Sequence, residues 1–220
     1  MKRSRDMEKS SEISSFIEEL SMMVIVKHGE NHEGAHIPTK PFLSLCHLVL
    51  QVLDKIGPTM TVLRQDVHQN IKRLEVMHES NPSVNSNLVE ILKSEVSKGN
   101  TGKKFSCSKA FVWLTRSLDF SSALLQRLAK DPKKNMVQLV EESYAATLAP
   151  WHGWISSAAA KVALKLVPDS KTFMDILREK DENCDTLKEK IQILVSLLNP
   201  FLDEIHSIIK VYNLDRLKST

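Results

Sequence analysis

Three polar residues on one predicted helix, residues 59–78, are the first candidates for chemistry. Asp66 and Asn70 lie one turn apart at the edge of the apolar arc, and Arg73 lies beside them. A carboxylate that leaves water is costly unless it is paired or hydrogen-bonded, so we expect Asp66 to face inward and to have a partner. An ion pair with Arg73, together with Asn70 bonded to a loop carbonyl, would explain the cluster without a ligand. A bound polar ligand would explain it equally well. The arc itself is formed by Leu63, Val67, Ile71 and Leu74.

A second group of candidates lies on the helix predicted at residues 107–130. Lys109, Trp113 and Arg116 are spaced i, i+4, i+7 and therefore share one face. A tryptophan beside a cation can stack on a sugar or on a cationic side chain, which is worth about 0.5–2 kcal/mol. Taken alone, the spacing is also typical of ordinary core packing.

The third candidate is the segment Trp151-His152-Gly153-Trp154, which follows Pro150 directly. A histidine at a helix start meets the positive end of the helix dipole, so we expect a neutral imidazole that can donate a hydrogen bond. An exposed tryptophan at such a corner suits a membrane interface, because its ring is amphipathic. Simple packing of both indoles is the alternative.

Composition favours an all-helical, single-domain protein. The chain has 220 residues, 42% hydrophobic and 26% charged, which is too apolar for a disordered chain and long enough for a large core. Only 6 residues are glycine, and hairpin signals bounded by turn residues are absent. The net charge of +3 is spread along the chain, so a nucleic-acid partner is not expected.

Cysteine usage and the first residues favour the cytoplasm. The three cysteines are widely spaced and form no CxxC pair, which fits a reducing compartment. The only apolar run near the start, residues 22–26, is too short for a signal peptide or a membrane span.

Proline, glycine and asparagine divide the chain into helices without a linker between domains. Residues 1–10 read as a flexible start and residues 11–220 as one domain. The predicted helices span about 11–26, 42–56, 59–78, 84–98, 107–130, 135–148, 154–167, 170–178, 185–198 and 200–211.

The sequence gives little support for a metal site or for an enzyme active site. His28, His32 and His36 recur every four residues, but they stand in a glycine-containing polar loop without apolar support, so no metal is expected. Asp66, His152 and Ser156 could be arranged as base, orienter and nucleophile. However, no nucleophile elbow or phosphate-binding loop accompanies them. An adaptor without a ligand would leave the inward polar residues unexplained.

Taken in order, these motifs resemble the glycolipid transfer protein family, and in particular its plant members. The resemblance extends over about residues 37–214. One departure is Arg73, where animal glycolipid carriers have lysine, which keeps the charge and changes the donor geometry. The residues that carry the resemblance are Asp66-Val-His-Gln-Asn70-Ile-Lys-Arg73, Trp113-Leu-Thr-Arg116 and His152-Gly-Trp154.

The resemblance implies a two-layer all-helical sandwich with an apolar lipid pocket between the layers. It implies non-vesicular transfer of a sphingolipid, most simply a glycosphingolipid such as glucosylceramide, by a monomer that needs no cofactor and touches membranes transiently. Asp66, Asn70 and Arg73 would bind the sugar, with Asp66 also reaching the ceramide amide. Trp113 would lie under the sugar ring and His152 would donate to the amide carbonyl. Membrane docking would fall to Trp154 and, beside it, Trp151.

A rival within the same family carries ceramide 1-phosphate. Those relatives have basic residues where this chain has Asn70 and Trp113, so both positions favour a glycolipid here. Lys109 complicates the choice because the phosphate carriers also have a basic residue there. Lys109 and Arg116 are therefore predicted as secondary head-group contacts. The identity of the sugar, the acyl chain and the cellular role stay open.

Overall fold

The computed structural model describes residues 11–23, 35–152, 158, 162–163 and 165–217. Within these ranges the chain is helical, apart from turns and one isolated bridge between Pro38 and Asn87. The α-helices are α1 (Glu12–Met22), α2 (Thr39–Ile56), α3 (Thr61–Ser80), α4 (Leu88–Ser97), α5 (Cys107–Lys130), α6 (Met136–Thr147), α7 (Ser170–Leu177) and α8 (Cys184–Val211). Short 3₁₀ turns span Pro58–Met60 and Ala149–Trp151.

Helix starts are set by polar side chains that accept a hydrogen bond from the first-turn amides. Such a cap typically contributes about 1 kcal/mol, and it helps to fix the start of every α-helix described above except α2 and α3, which have none. Gly57, with φ at 105°, ends α2, because residues with a side chain rarely adopt that conformation. The capping residues are Ser11, Asn87, Ser106, Asn135, Asp169 and Asn183.

The predicted bounds of α5 are confirmed, and this helix is the centre of the molecule. It packs against α3, α4, α6 and α8, and its apolar residues join one continuous core. Phe111 of α5 and Phe42 of α2 are fully buried, with ring centroids 5.2 Å apart. A helix with neighbours on several sides is apolar around much of its circumference, as the sequence of α5 is.

One predicted break is wrong. We expected separate helices at 185–198 and 200–211, but α8 runs without interruption through Pro200. A proline inside a helix costs about 3 kcal/mol. Burial of apolar residues along the whole of α8 offsets this cost. Pro200 lies on the exposed face, where water can reach the carbonyl that loses its partner.

Other boundaries differ by a turn or less. Residues 82–86 form turns, so α4 begins at Leu88 rather than near residue 84. In α3, the predicted core residue Leu63 is 39% exposed because it lies in the first turn, at the end of the packed region. The helix predicted at 154–167 falls largely outside the described residues.

Two findings bear on membranes and metals. None of the helices within the described ranges is long and apolar enough to cross a membrane. The same ranges contain no group of three or more histidine, cysteine, aspartate or glutamate residues that could hold a metal ion. His28 and His32 of the polar loop lie outside them.

Candidate functional site

The polar stripe on α3 is held together by two hydrogen bonds. Asn70 is only 9% exposed, which confirms its predicted place at the edge of the apolar face. Its side-chain Nδ2 donates to the backbone oxygen of Asp66 at 3.1 Å, and Nη1 of Arg73 donates to its Oδ1 at 3.2 Å. The expected bond to a loop carbonyl is therefore a bond within the helix. The side chain of Asn70 is thus fixed at both ends, with its amide oxygen against the guanidinium of Arg73.

Asp66 differs from the expectation of an inward carboxylate. Its side chain is exposed in terms of accessible area, and the described residues place no ion-pair partner within 4.0 Å of it. Surrounding protein nevertheless displaces part of its hydration and raises the pKa of the carboxyl, while the charge of Arg73 works in the opposite direction. Because its side chain is exposed to solvent, we place Asp66 at the rim of the stripe rather than inside it. It remains free to accept hydrogen bonds from a ligand.

The first turn of α5 is anchored by Glu95 of α4. Its two carboxylate oxygens accept from the amides of Cys107 and Ser108 at 2.8 and 2.7 Å, and the Ser108 hydroxyl donates to Oε2 at 2.7 Å. A carboxylate at a helix N-terminus also benefits from the helix dipole. This anchor fixes Lys109 and Trp113, which follow within two turns.

Trp113 and His152 form the second part of the site. Their rings stack with centroids 5.2 Å apart and planes 21° from parallel. The Tyr144 hydroxyl lies 3.0 Å from Nδ1 of His152. When this hydroxyl donates to Nδ1, the ring proton is on Nε2, which can then donate to a ligand.

The imidazole is favoured in its neutral form, as predicted. Burial lowers the pKa of His152, and the positive charge of Arg116 lowers it further. His152 follows the 3₁₀ turn Ala149–Trp151 as its C-terminal cap, and the residues after it are outside the described ranges. The predicted contribution of a helix dipole depends on residues outside the described ranges, and desolvation and a nearby cation act in the same direction.

Arg116 is buried behind this pair, with 4% of its surface exposed. Its guanidinium carbon lies 4.9 Å from the ring centre of Trp113 and 4.1 Å from that of Trp151. Nη1 and Nη2 donate to the backbone oxygens of Leu217 and Asp215 at 2.6 and 3.0 Å. Burial lowers the pKa of Arg116 to about 10, which leaves it charged at neutral pH. Its guanidinium therefore ties the C-terminal segment to the aromatic cluster.

Lys109 links the two halves of the site. It stands one turn before Trp113 on α5, and its pKa is lowered first by burial and then by the charges of Arg73 and Lys104. Arg73 also lies over the ring of Phe105, with 5.5 Å between its Cζ and the ring centre. Several cations thus surround the point where α3 meets the start of α5.

The structure places the predicted residues in two neighbouring groups on packed helices: the stripe on α3 and the aromatic cluster of α5. Sequence reasoning missed Tyr144 and the C-terminal carbonyls, because Pro150 and a long separation hide these contacts from any helical spacing. It also missed Phe105, although an aromatic residue in a lysine-rich loop was a readable signal. Trp154, predicted for membrane docking, lies outside the described residues.

Comparison with known proteins places this geometry in context. The family model "Glycolipid transfer protein (GLTP)" matches residues 37–179. Glycolipid transfer protein 3 of Arabidopsis thaliana is 52% identical over 225 residues, which cover 100% of this chain and 97% of that protein.

Solved structures share the fold at much lower identity. A structure that shows how FAPP2 selects simple glycosphingolipids using the GLTP fold superposes with a TM-score of 0.83 at 23% identity, covering 96% of this chain and 100% of that one. A point mutant of Arabidopsis ACD11 in complex with ceramide-1-phosphate gives a TM-score of 0.78 at 17% identity, covering 95% of this chain and 98% of that one. The predicted fold, a two-layer all-helical sandwich, is confirmed by these likenesses. By the match of its family model and its identity to a full-length relative, this chain belongs to the glycolipid transfer protein family.

Proposed function

We propose that this protein carries one sphingolipid at a time between membranes, and that its preferred cargo is a simple glycosphingolipid such as glucosylceramide. The observation that supports the proposal most directly is the pairing of the Asp66–Asn70–Arg73 stripe on α3 with Trp113 of the adjoining helix α5, on which His152 stacks. The hydrogen-bonding groups of the stripe suit sugar hydroxyls, and an aromatic face suits the C–H face of a hexose.

Each polar residue receives a role that its surroundings favour. Asp66, exposed at the rim, accepts from sugar hydroxyls and from the ceramide amide N–H. Asn70 and Arg73, already bonded to each other, offer donors to the sugar. His152, neutral and oriented by Tyr144, donates from Nε2 to the ceramide carbonyl.

The lipid chains supply tolerance rather than selectivity. Exposure of a methylene to water costs about 0.8 kcal/mol, so a long-chain lipid needs an apolar enclosure to cross an aqueous phase. Moving the same chain from a bilayer into the protein exchanges one apolar surrounding for another. Selectivity then rests on the polar contacts, each worth about 0.5–3 kcal/mol. We place the chains between the two helical layers.

No step in this proposal breaks or forms a covalent bond, and the carrier is not an enzyme. Monomeric state, residence in the cytoplasm and transient contact with membranes complete the proposal. Free thiols at Cys46, Cys107 and Cys184 support a reducing compartment. Trp154 is proposed as the docking residue. Trp151 is half-buried against Arg116 and supports the same corner from within.

Ceramide 1-phosphate is a second candidate cargo, because Arg73, Lys104 and Lys109 lie close enough to influence one another electrostatically. A phosphate monoester needs several converging cations or charge-assisted donors. Asn70 and Trp113 supply neither, so we rank this cargo below a hexosylceramide. Arg116, predicted as a secondary head-group contact, has its donors engaged by the C-terminal carbonyls and acts behind the site.

The test is vesicle-to-vesicle transfer of fluorescent glucosylceramide and ceramide 1-phosphate at matched salt. Asp66→Val should lower glucosylceramide transfer by about 10- to 100-fold, the value of one charge-assisted hydrogen bond. Because Asp66 is exposed, stability should change by no more than about 0.5 kcal/mol. Glu79→Val, which replaces another exposed acid on α3, is the matched control and should transfer normally. Undiminished transfer by Asp66→Val would assign the carboxylate a structural role only.

A further inference from the structure

Asp119 of α5 and His206 of α8 form a pair that joins the two longest helices of the described ranges. Nε2 of His206 lies 2.9 Å from Oδ1 of Asp119, although the two residues are 87 positions apart in the sequence. The side chain of Asp119 is 20% exposed and that of His206 is 41% exposed, so the pair is partly withdrawn from water. An ionised carboxylate can only accept, so Nε2 donates this hydrogen bond. The contact fixes the orientation of the Asp119 carboxylate.

The charge state of His206 does not change this arrangement. The hydrogen bond to Asp119 raises the pKa of His206, and the charges of Asp119 and Asp203 act in the same direction, against burial and the charge of Lys210. Nε2 donates from the neutral ring with its proton on that atom and also from the charged ring. His206 therefore holds the carboxylate of Asp119 on both sides of neutral pH.

Asp119 also follows Arg116 by three residues on α5, so the two side chains are neighbours on the helix surface, with Cβ atoms about 5–6 Å apart. The groups that contact the buried guanidinium of Arg116 are uncharged: two backbone oxygens and two indole rings. A buried cation is costly without a negative charge near it. Burial lowers the pKa of Arg116, and the charge of Asp119 opposes this effect more strongly than that of Asp215. Among the described residues, Asp119 is thus the main counter-charge of Arg116.

The place of Arg116 matters because its guanidinium lies against the aromatic part of the candidate site. The guanidinium carbon is 4.9 Å from the ring centre of Trp113 and 4.1 Å from that of Trp151. The ring of Trp113 also stacks with that of His152. An indole that contacts both a guanidinium and an imidazole has little freedom to tilt. Its orientation then depends on whatever keeps the guanidinium in place.

We propose that Asp119, oriented by His206, is a positioning residue of the head-group site: its negative charge holds the guanidinium of Arg116 against Trp113 and Trp151, and this fixes the face that Trp113 offers to a sugar. Asp119 acts through Arg116 and not on the lipid itself. The link to sugar binding rests on the proposed function, whereas the electrostatic link between Asp119 and Arg116 does not.

Asp119→Asn in the full-length protein tests the charge, because asparagine keeps the shape and an acceptor for His206. Tryptophan emission should shift to the red as the indoles gain water. Vesicle-to-vesicle transfer of glucosylceramide should fall by about three- to tenfold, the effect of one lost hydrogen bond. Asp119→Glu, which keeps the charge, should recover most of the rate and of the emission. A glutamate variant as impaired as the asparagine variant would show that shape, and not charge, is what matters at this position.

A double-mutant cycle tests whether Asp119 acts through Arg116. In the Arg116→Gln background there is no buried cation left to hold, so Asp119→Asn should cause no further loss of transfer and no further red shift. Losses that multiply in the double variant would mean that Asp119 supports the fold independently of Arg116, and the proposal would be wrong. If Arg116→Gln does not fold, the comparison of Asp119→Asn with Asp119→Glu decides the question, because neither variant alters Arg116.

A second histidine–carboxylate pair provides the matched control. Nε2 of His47 on α2 lies 2.8 Å from Oε1 of Glu75 on α3, and their side chains are 43% and 27% exposed. Glu75→Gln therefore removes the same kind of charge from the same kind of contact, away from Arg116. Its emission and transfer should match those of the wild type. Equal effects of Glu75→Gln and Asp119→Asn, or no effect of Asp119→Asn, would overturn the proposed role.

This proposal and the proposed cargo can fail separately. Tryptophan emission and the cycle in urea unfolding are measured without lipid, so they report the link between Asp119 and Arg116 whatever the cargo is. A wild type that shows this link and transfers no glucosylceramide would refute the cargo and leave the link standing. Normal transfer of glucosylceramide by both the wild type and Asp119→Asn would refute the positioning role and leave the cargo standing.

Discussion

At the scale of single residues, the candidate site consists of groups whose hydrogen-bonding capacity is only partly used. Asn70 is bonded on both sides, yet its amide retains a second lone pair and a second N–H. His152 is oriented by Tyr144 and keeps Nε2 available. Such partial engagement fixes the side chains in place while it leaves donors and acceptors for a ligand, which lowers the entropy lost on binding.

Head-group preference should depend on Asn70 and Trp113. The wild type should move glucosylceramide faster than ceramide 1-phosphate. Asn70→Lys with Trp113→Arg should reverse the order, because the pair removes the aromatic face and adds two cations to those of Arg73 and Lys109. Transfer of both lipids at matched salt measures the ratio.

Thermal unfolding must accompany this comparison, since Asn70 is buried and a lysine there has to reach solvent. Trp113→Phe is the control, because it keeps a flat apolar face and should keep the order of the wild type. A wild type that prefers ceramide 1-phosphate would show that the cations outweigh the aromatic face.

Acidic pH should weaken the site through His152. Its pKa lies below the ordinary value of about 6.5 in the folded protein, so the unfolded chain binds a proton first as the pH falls. The stability contributed by the neutral ring is therefore complete above about pH 6.5 and is lost as the pH drops toward the lowered pKa. Protonation also forces Nδ1 to give up the Tyr144 hydroxyl as a donor and sets a second cation beside Arg116.

Transfer rate and urea unfolding, each followed against pH for wild type and His152→Gln, check this effect. Subtraction of the two curves removes the contribution of carboxylates such as Asp66, which titrate in both proteins. Loss of the ring itself lowers both quantities at every pH, so it is the size of the difference that should change, and only on the acidic side. A difference that is constant across pH would show that protonation of His152 has no part in it.

At the scale of elements, α5 decides where the site lies. Its first turn is anchored by Glu95, its middle carries Trp113 and Arg116, and it packs against both α3 and α8. Arg116 connects α5 to the C-terminal segment, because it donates to the backbone oxygens of Asp215 and Leu217. The C-terminal segment is consequently part of the wall behind the aromatic cluster.

Arg116→Lys should loosen that wall. An ammonium cannot reproduce the two hydrogen bonds of the guanidinium. The free energy of unfolding, measured in urea, should therefore fall by about 1.5–3 kcal/mol. Tryptophan emission should shift to the red as Trp113 and Trp151 gain water. Arg127→Lys, on the same helix but with a bond to its own helix at Ala123, should cost less than about 1 kcal/mol.

Removal of residues 215–220 provides an independent test, because it deletes the acceptors and leaves Arg116 in place. The truncated chain should show the same red shift as Arg116→Lys and a comparable loss in the free energy of unfolding. Unchanged emission in both proteins would mean that Arg116 does not position the tryptophans.

At the scale of the whole molecule, the proposed function requires a surface that meets membranes as well as a site that selects a lipid. The corner at Trp151 adjoins the proposed head-group site through Arg116. An arrangement of this kind lets a lipid pass between bilayer and protein without exposing its chains to water.

Trp154→Ala should slow transfer and leave lipid preference unchanged, since the residue is assigned to the interface and not to the head group. The measurement is the transfer rate of glucosylceramide and ceramide 1-phosphate, together with flotation on vesicles. Trp154→Phe, which keeps an aromatic ring, should recover part of the rate. An altered ratio between the lipids with normal vesicle binding would place Trp154 in the head-group site instead.

The sequence alone determined the helical class, the bounds of α5, and the three motifs that resemble the family. These properties depend on local spacing and on residue type, which a helical wheel captures. The same reasoning placed Asn70 at the buried edge correctly and placed Asp66 and Leu63 too deep. How far a border residue reaches solvent depends on where the neighbouring helix ends.

Only the tertiary structure decided the contacts between distant segments: Tyr144 with His152 across a proline, Arg116 with the C-terminal carbonyls, and Glu95 with the start of α5. It also joined the two predicted C-terminal helices through Pro200, because burial along both halves outweighs the local penalty of a proline. The physical reason is common to all of these cases. The local conformational preference of a residue amounts to about 1–3 kcal/mol. Burial of a side chain between elements that are far apart in the chain can contribute as much or more, so packing can override that preference.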